Sequence, residues 1–496
     1  MTGSGTTAVR RTRRGRSREE EPVFAPRLVL EATSDSADPA QVTAAVVAAV
    51  RAASPDAAGP HGPDDEPYDG AYVLIRVAGV PLAAVTVRLP VSAEQVALAV
   101  RSAGVGRSHT PRPVVRAQRL PTATVVVPSI VSRVTELRHC LESLVALDHP
   151  ATEVILVDNR PQLPADDPLP ALLRGLPQVR VLHEPRPGTA AARNAGLRVA
   201  RGEVIAFTDD DVRVDPGWLS ALVRRFAEHP EEDAVTGLIM PSELLTPAQQ
   251  QYEEYYGGFS GPRTFAPVSL HPAHGRRDRP RWGLVDVRAP GGERVRTFAV
   301  YGIGAYGAGA NMAFRTERLR AVGGFDLRLG PATPTLGAED LAVFVRLLTG
   351  GGVLGYEPTA LVHHTHRRER AQLERQLVSN GTGFTALLTC LVLDDPRHLL
   401  ALVRRTPVAG WAVAHRALTR WSAQWSQARH AVPPAYPVRP KDPHLVRLEV
   451  GGMLKGPAAY LRSRRAHAAG GVGQSTTTFR TTPTGTVLTS TGRESA

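Results

Sequence analysis

The chain has 496 residues, 42% of them hydrophobic, with a net charge of +12 and two cysteines. This length allows two or three domains with a packed core, and the two distant cysteines argue against a disulfide framework, so a cytoplasmic location is expected. Six arginines between Arg10 and Arg18 lie in a Gly/Ser/Thr tail without aromatic residues, so nucleic-acid binding is not predicted. No segment reaches the ~18 apolar residues of a membrane-spanning helix, and no apolar signal region follows the basic N-terminus.

The first part of the chain divides into a tail, a small unit and a connection. Residues 1–22 are charged and predict a disordered basic tail. Residues 23–104 show helical spacing over 40–53, two strands within 72–87 that meet at a Gly-containing turn, and a short helix that begins at Ser92. This pattern predicts a small accessory α+β domain, and the Arg- and Pro-rich residues 105–121 predict a linker.

From Thr122 onward, strands and helices alternate. The apolar runs at 124–127, 154–157, 179–182 and 204–207 predict strands, and helical patterns lie between them at 134–146 and 189–200. This order predicts right-handed crossovers and a doubly wound, mostly parallel sheet, in which ligands bind beyond the carboxyl ends of the strands. Polar residues occur at those ends, namely Pro128-Ser129, Asp158-Asn159, Glu184 and Asp209-Asp210-Asp211.

The three acids after the fourth strand are the strongest single signal. Asp209, Asp210 and Asp211 follow the buried run 204–207 directly, and like charges beside an apolar strand repel each other. A divalent cation bound by these carboxylates would offset that repulsion, and the cation would in turn hold a diphosphate. The alternative is a loop of N-cap acids for the helix that starts near Pro216. The other polar strand ends favour the metal site.

The rest of the chain adds an excursion, a late strand and C-terminal helices. A helix at 218–227, a strand near Val235 and a helix at 246–256 precede residues 257–300, which predict an excursion or flexible loop. A helix to about Leu348 and a strand at 353–356 complete a domain over 122–369. Residues 370–430 predict a helical extension, and residues 431–496 predict a Pro-rich linker and a mostly disordered tail.

Several motifs occur in a fixed order between Thr122 and Thr389. They are Val-Val-Val-Pro, Val-Asp-Asn, Arg-Pro-Gly with Ala-Arg-Asn-Ala-Gly, Phe-Thr-Asp-Asp-Asp with Asp-Pro-Gly-Trp, Gly-Ala-Asn-Met-Ala-Phe-Arg, Gly-Gly-Phe-Asp, Glu-Asp-Leu and His-Thr-His-Arg. Together they resemble the family 2 glycosyltransferases, which have the GT-A fold. The resemblance covers a little over half of the chain, and it implies inverting transfer of a sugar from a nucleotide-diphosphate sugar to a hydroxyl acceptor.

The resemblance also implies a donor site. Asp158 would accept hydrogen bonds from the nucleotide base, and Pro128 and Ser129 would line the same pocket. An Asx turn is the alternative for Asp158. The chain has Ile130-Val131 where the family usually has polar residues, so the nucleotide contacts stay open. The residues expected near the donor phosphates or sugar are Arg186, Gly188, Arg193, Asn194, Asp209 and Asp210, with helix–loop packing as the alternative for Arg193 and Asn194.

Metal binding and catalysis are assigned to two acidic pairs and two histidines. By resemblance, Asp209 and Asp211 hold Mg²⁺ or Mn²⁺, with His364 and His366 completing the site or contacting the diphosphate. The resemblance assigns Asp340 as the general base, with Glu339 orienting or binding the acceptor. The alternative for Glu339 and Asp340 is a pair of acids that stabilise the start of a helix through its dipole. The alternative for the histidines is a loop over the sheet edge.

The acceptor side is the least defined part of the site. Trp218, Gly309, Asn311 and Arg315 are assigned there, and the acceptor is a glycan, a lipid-linked molecule or a small molecule. The helices after Arg370 interleave basic and apolar residues, which suits peripheral contact with a membrane as well as packing. Two rival functions remain, a nucleotidyltransferase and a sugar-nucleotide-binding module without catalysis.

Overall fold

A computed structural model describes residues 25–53, 67–106, 120–149, 152–256, 263–275, 280–404, 442–469, 475–482 and 485–492. Several predicted segments lie outside these ranges. They are the tail at 1–22, residues 107–119 of the linker, the helical residues predicted within 405–430, and residues 431–441 of the Pro-rich linker.

The N-terminal unit is a three-stranded sheet covered by two helices. Its elements are β1 (Arg27–Ser34), α1 (Pro39–Ala52), β2 (Gly70–Val77), β3 (Val80–Arg88) and α2 (Ala93–Ser102). β1 runs parallel to β2, and β2 pairs antiparallel with β3 as the sequence predicted. The sequence analysis did not identify β1. The side chains of Asp38 and Ser92 cap the two helices by accepting backbone N–H bonds, which fixes where each helix begins.

The centre of the larger sheet is the predicted parallel arrangement. β4 (Ala123–Ser129), α3 (Val134–Val145), β5 (Thr152–Asp158), the short α4 (Leu169–Leu172), β6 (Val179–His183), α5 (Thr189–Val199) and β7 (Val204–Phe207) follow one another. The strands pair in the order β7-β4-β5-β6, all parallel. α3 and α5 contribute to different hydrophobic clusters on the two faces of this sheet. The prediction of a doubly wound α/β sheet is therefore confirmed.

The segment after β7 enlarges the sheet. It contains β8 (Val212–Val214), α6 (Trp218–Glu228), β9 (Glu232–Pro241), α7 (Pro247–Tyr256), β10 (Val268–His274), β11 (Pro280–Arg288) and β12 (Arg294–Ala299). The prediction of an excursion or flexible loop over 257–300 is wrong for the last three strands, which pair antiparallel in sequence. These strands are ordered because every second side chain faces the core. Val268 and Leu270 of β10 and Val285 and Val287 of β11 are buried there.

Four further elements complete the domain. They are β13 (Met312–Arg315), α8 (Thr316–Ala321), α9 (Glu339–Thr349) and β14 (Val353–His364). β13 lies antiparallel between β7 and β9, while β14 is parallel to β9 and antiparallel to β10. β14 is longer than the strand predicted at 353–356 and carries His363 and His364 within it. This extension brings the histidines to the ligand edge of the sheet.

The prediction of a mostly disordered end within 431–496 is wrong for α11 (Pro443–Ala469), β15 (Ser475–Thr482) and β16 (Gly485–Gly492). α10 (Arg370–Asp394), which lies in the predicted helical extension, packs against α11, and β15 and β16 form a hairpin. The lack of a side chain at Gly381 lets the two helices approach closely, since a Cβ there would lie 2.0 Å from the Glu449 carbonyl oxygen. The backbone of β16 pairs with β6, which covers the edge that this strand would otherwise leave open.

One helix in the described ranges, α10, has the length and apolar composition of a membrane span, with a mean hydropathy of 1.3. Of its apolar window, 44% is buried inside the protein, where it contacts α11 and α7. These contacts cover part of its apolar surface.

Candidate active site

A cavity of about 620 Å³ lies at the ligand edge of the sheet. Its floor consists of residues that follow β4 and β7, one wall is the start of α9, and α10 and α11 close the opposite side. The cavity brings together predicted residues from six separate segments, namely Pro128 and Ser129, Arg193, Asp209 to Asp211, Gly309, Glu339 with Asp340, and His364.

Asp211 is the most strongly paired acid of the cluster. Its Oδ2 accepts a hydrogen bond from Arg133 Nη2 at 2.5 Å, and its Oδ1 lies 3.3 Å from His364 Nε2. Burial would raise the pKa of Asp211, but the charges of His364, Arg133 and Arg367 together hold that pKa well below its usual range. Asp211 is therefore ionised and acts as an acceptor at neutral pH.

The other two acids have raised pKa values. Ser129 Oγ donates to Asp210 Oδ2 at 2.6 Å, yet burial and the neighbouring charge of Asp211 raise the pKa of Asp210 to about 6. Asp209 Oδ1 accepts from Arg193 Nη2 at 3.1 Å, and burial raises the pKa of Asp209 despite this partner. Three adjacent carboxylates thus carry unequal proton affinities, because the available cations are shared unevenly among them.

Arg193 links the acidic loop to the start of α9. Its side chain is 3% exposed, and it donates from Nη1 to Glu339 Oε1 at 2.8 Å while Nη2 donates to Asp209. Its guanidinium also lies 5.5 Å from the ring centroid of Phe325. A Cβ on Gly309 would approach Arg193 Nη2 to 2.5 Å, so a side chain at position 309 would have to displace this guanidinium. Arg193 is therefore a buried bridge between two acidic clusters.

Glu339 and Asp340 begin α9 with different surroundings. Ala338, the residue before the helix, has a left-handed conformation with φ of 73°, and this turn directs both acids towards the cavity. Burial raises the pKa of Glu339 to about 7 against the attraction of Arg193. Asp340 is half-buried, and its Oδ2 accepts from the Gly309 backbone N–H at 2.6 Å. A backbone donor thus orients Asp340, whereas a guanidinium holds Glu339.

The two predicted histidines occupy different layers. His364 lines the cavity beside Asp211, and its Nδ1 lies 3.2 Å from His366 Nδ1. His366 has a fully buried side chain, packs edge-on against Tyr252 and lies 3.2 Å from Glu253 Oε2 through its Nε2. The structure therefore places His364 where it could contact a ligand of Asp211, and His366 behind it.

Asp158, which was predicted to accept hydrogen bonds from a nucleotide base, is buried and does not line the cavity. The Asp158 carboxylate accepts two bonds from Arg160, from Nε at 2.8 Å and Nη2 at 2.6 Å. Asn159, its neighbour, lines the cavity, and its Oδ1 accepts from the Gly188 N–H at 2.9 Å. Gly188 has a φ of 119° and precedes α5, while the Arg186 side chain is exposed outside the cavity lining.

Three residues assigned from the sequence to donor or acceptor sugar binding are packing residues instead. The Asn194 amide pairs with the backbone of Phe325, at 2.8 and 2.9 Å. Trp218 is fully buried and donates from Nε1 to Asn311 Oδ1 at 2.9 Å. Asn311 in turn donates to the carbonyls of Leu238 and Ala360. The prediction that Asn194, Trp218 and Asn311 bind the donor or acceptor is therefore corrected, because their side chains join core elements and do not line the cavity.

Arg315 is also misplaced by the sequence interpretation. It pairs in register with Val204 at the start of β7, because β13 runs antiparallel to that strand. Its guanidinium donates to backbone carbonyls of Phe226, His229 and Glu232. Arg315 therefore lies at the opposite end of the sheet from the acidic loop.

Sequence reasoning missed several cavity residues. Arg133 lies at the start of α3 and contacts both Asp210 and Asp211, and Arg367 lies 3.9 Å from Asp211. The sequence held a signal for each of these arginines as a site residue. Arg133 lies shortly after β4, and Arg367 belongs to the His-Thr-His-Arg motif. The helices contribute polar and apolar wall residues that carried no motif, namely Gln376, Ser379, Asn380, Phe384, Glu449 and Met453.

The donor set beside Asp211 fits a hard divalent cation. A carboxylate oxygen and an imidazole nitrogen lie 3.3 Å apart on the cavity wall, and Asp209, which is 32% exposed, lines the same cavity. Arg133 holds the second Asp211 oxygen and would have to move aside for a cation that binds there.

Comparison with known proteins shows what this chain is similar to. The family model described as Glycosyl transferase family 2 matches residues 124–289. The chain is 29% identical over 265 residues to the pre-mycofactocin glycosyltransferase of two Mycobacterium tuberculosis strains, with 52% of this chain and 46% of that protein covered. It is 27% identical over 247 residues to the succinoglycan biosynthesis protein ExoM of Rhizobium meliloti, with 48% and 65% covered.

Among solved structures, the mannosyltransferase PcManGT from Pyrobaculum calidifontis, in complex with GDP-Man and Mn²⁺, is similar at 16% identity and a TM-score of 0.38. The match covers 72% of this chain and 89% of that one. The chain spans about half the length of the first curated relatives it matches. Residues 124–289 are a glycosyltransferase family 2 domain, so the resemblance predicted from the motifs is confirmed.

Proposed function

We propose that this protein transfers a sugar from a nucleotide-diphosphate sugar to a hydroxyl acceptor, with inversion at the anomeric carbon. The observation that carries this proposal is the shared cavity, in which the acidic loop at Asp209 to Asp211 faces the Glu339-Asp340 pair of a distant segment. A displacement needs a charge-stabilising site for the leaving group and a base on the other side of the sugar. The name of the curated relative pre-mycofactocin glycosyltransferase supports the same reaction class.

Asp340 is the proposed general base. It accepts the proton of the acceptor hydroxyl as the hydroxyl oxygen forms its bond to the anomeric carbon. The bond from that carbon to the diphosphate breaks on the opposite face, and its electron pair leaves with the diphosphate. The Gly309 N–H holds the Asp340 carboxylate in place, and Arg193 keeps Glu339 beside it as an orienting residue.

Asp211, Asp209 and His364 are the proposed holders of Mg²⁺ or Mn²⁺, and His366 supports His364 from behind. The bound cation would neutralise charge on the diphosphate. Arg193 and Arg133 supply further positive charge on the same side of the cavity. Pro128, Ser129 and Asn159, which line the cavity, are the proposed nucleotide contacts, and the side-chain hydroxyl of Ser129 also donates to Asp210.

The deciding experiment compares donor turnover with wild type and Asp340→Asn in the presence of Mn²⁺. We expect nucleotide diphosphate release by wild type and a loss of ~10²–10⁴-fold in the variant, with nucleotide binding retained in a thermal-shift assay. Glu317→Gln on exposed α8 is the matched control and should keep full activity. Equal turnover by Asp340→Asn and wild type would contradict the assignment of the base.

The same assay separates the rival functions. A nucleotidyltransferase would release pyrophosphate from a nucleoside triphosphate and a sugar phosphate, whereas a binding module would show a thermal shift without turnover.

We also propose peripheral contact with an anionic membrane through α11, in an otherwise cytoplasmic protein. The outward face of this helix carries Val446, Val450, Leu454 and Leu461, and Leu454 is 80% exposed. Basic residues flank this apolar face, namely Arg447, Lys455, Arg462, Arg464 and Arg465. An apolar face beside cations is typical of helices that lie in a lipid interface. The same helix lends Glu449 and Met453 to the cavity, so a lipid-linked acceptor would reach the base without crossing the protein.

Sedimentation with vesicles tests the membrane contact. We expect wild type to bind vesicles of phosphatidylglycerol and phosphatidylcholine, and Leu454→Asp to lose most of that binding. Val295→Asp, at an exposed position on edge strand β12, is the matched control. Equal sedimentation of wild type and Leu454→Asp would contradict the proposed face.

A further inference from the structure

A second cavity, of about 590 Å³, adjoins the active-site cavity. The two cavities share Arg133, Leu336 and Gln376 in their walls, so a ligand in one of them can extend into the other. The second cavity is bounded by the start of α3, the segment after β14 and the first half of α10. Gln372 and Arg375 line only this second cavity, and they have no part in the proposed donor and metal sites.

One face of α10 runs along both cavities. The residues of this face that line the second cavity include Gln372, Arg375, Gln376 and Ser379. Those that line the first include Gln376, Ser379 and Phe384. The spacing is that of a single helix face, because residues three and four apart lie on the same side of an α-helix. This face of α10 therefore forms a continuous wall from the second cavity to the active site.

Arg375 supplies a cation that is available to a ligand. Its side chain is exposed, and within the ranges that the structure describes it has no carboxylate partner. Arg368, in the same cavity, is instead held by both carboxylate oxygens of Glu243. Two glutamates also line the cavity. Glu136 interacts with Arg368, and Glu369 lies six positions before Arg375, about 9 Å along the helix axis. Neither glutamate neutralises Arg375, so its guanidinium can bind an anion.

The distance between Arg375 and the proposed base sets a length for that ligand. A Cβ on Gly383 would lie 3.2 Å from the carbonyl carbon of Gly337, so this turn of α10 lies against the segment that carries Asp340. Arg375 precedes Gly383 by eight positions, which is ~12 Å at the helical rise per residue. A ligand with its hydroxyl at Asp340 would therefore place its anionic group on the order of 10–12 Å away.

We propose that the second cavity binds a phosphate group of the acceptor through Arg375, with Gln372 and Gln376 as further hydrogen-bond donors. A guanidinium binds two phosphate oxygens through parallel N–H groups, and each glutamine amide can donate as well. The donor diphosphate has its own place beside Asp211, in a cavity that Arg375 does not line. The proposal rests on the proposed function in naming the ligand as the acceptor. The phosphate does not react, and its binding holds the acceptor hydroxyl near Asp340.

The binding test requires neither turnover nor donor. Inorganic phosphate is titrated by calorimetry, with EDTA present, into the full chain of wild type, Arg375→Gln and Arg375→Lys. Arg174→Gln is the matched control, because Arg174 is an exposed arginine of the same domain that lines neither cavity. We expect Arg375→Gln to bind phosphate ~10-fold more weakly than wild type, and Arg174→Gln to stay within about twofold. Arg375→Lys should fall between them, because lysine keeps the charge but lacks the paired N–H groups.

Arginine labelling with phenylglyoxal, followed by peptide mass spectrometry, locates the bound phosphate. We expect phosphate to protect Arg375 from modification and to leave Arg174 unprotected. Protection of Arg133 or Arg193 without Arg375 would place the phosphate in the donor cavity and overturn the proposal. Absence of phosphate binding to wild type, or equal affinity of wild type and Arg375→Gln, would overturn it as well.

Two competitors identify the source of the phosphate. Citronellyl phosphate has a short lipid chain, and maltose 1-phosphate has a sugar body. Stronger displacement of inorganic phosphate by the first supports a lipid phosphate, stronger displacement by the second supports a soluble sugar phosphate, and displacement by neither overturns the proposal. Donor turnover is measured separately. Phosphate binding that depends on Arg375, without donor turnover, keeps the site and refutes the proposed function, whereas turnover without phosphate binding does the reverse.

Discussion

Glu339→Gln is the substitution that tests the electrostatics of the cavity most directly. Glu339 is 6% exposed, pairs with Arg193 and lies among other carboxylates at the start of α9. Glutamine has nearly the same shape and can still accept from Arg193, but it has no charge to bury. The variant should therefore differ from wild type chiefly in how the free energy of unfolding depends on pH.

The magnitude follows from the pKa of Glu339, which burial raises from 4.5 to about 7. Because the folded state holds this proton more tightly, the stabilisation from Glu339 is complete below pH 4.5 and is lost as pH rises through 7. One pKa unit corresponds to about 1.4 kcal/mol, so wild type should lose roughly 3 kcal/mol from this group across that window. Glu339→Gln lacks this loss.

The assay is urea unfolding at several pH values between 4 and 8. We expect the free energy of unfolding of Glu339→Gln, relative to wild type, to rise by roughly 3 kcal/mol across this range. Glu317→Gln is the control, because the Glu317 side chain is 83% exposed, and its difference from wild type should stay within about 0.5 kcal/mol. A relative change below about 1 kcal/mol for Glu339→Gln would refute the reasoning.

Two further substitutions test other parts of the site. Arg133→Gln removes the guanidinium that holds Asp211 at 2.5 Å, so we expect Mn²⁺ to bind about tenfold more tightly in calorimetry, and weaker binding would show that Arg133 assists the cation. Trp218→Phe leaves the Asn311 side-chain oxygen without its indole donor, so we expect a loss of about 1–3 kcal/mol in urea unfolding with unchanged KM for donor and acceptor. A raised KM at unchanged stability would restore Trp218 to the binding site.

Much of the central fold was predictable because its signals are local. The apolar run at 204–207 is a strand at those residues, and the helices after Val134 and Thr189 begin where the pattern placed them. Parallel strands joined by helices place their carboxyl ends at one edge, so the acids after β7 and the polar residues after β4 had to be neighbours. The order of motifs then indicated the family, which the comparison confirmed over residues 124–289.

The sequence could not show which residues of a motif face the cavity. Trp218 and Asn311 lie in motif-like stretches, yet they bond to each other in the core across 93 positions. Arg315 lies only a few positions after Gly309, but the antiparallel direction of β13 carries it to the other end of the sheet. These outcomes depend on strand direction and on distant partners, neither of which local periodicity records.

Local patterns in the chain were enough to predict the parallel core, the acidic loop, the Glu-Asp pair and the reaction class that they suggest. The contact of Arg193 with both acidic segments, the lining of the cavity by α10 and α11, and the contact of Glu253 with Tyr72 and His366 became visible only in the folded protein. The difference lies in the range of the interactions. Strand and helix patterns arise from neighbouring residues, whereas pKa values, burial and hydrogen-bond partners are set by side chains that the fold brings together, such as Glu253 and His366, which are 113 residues apart.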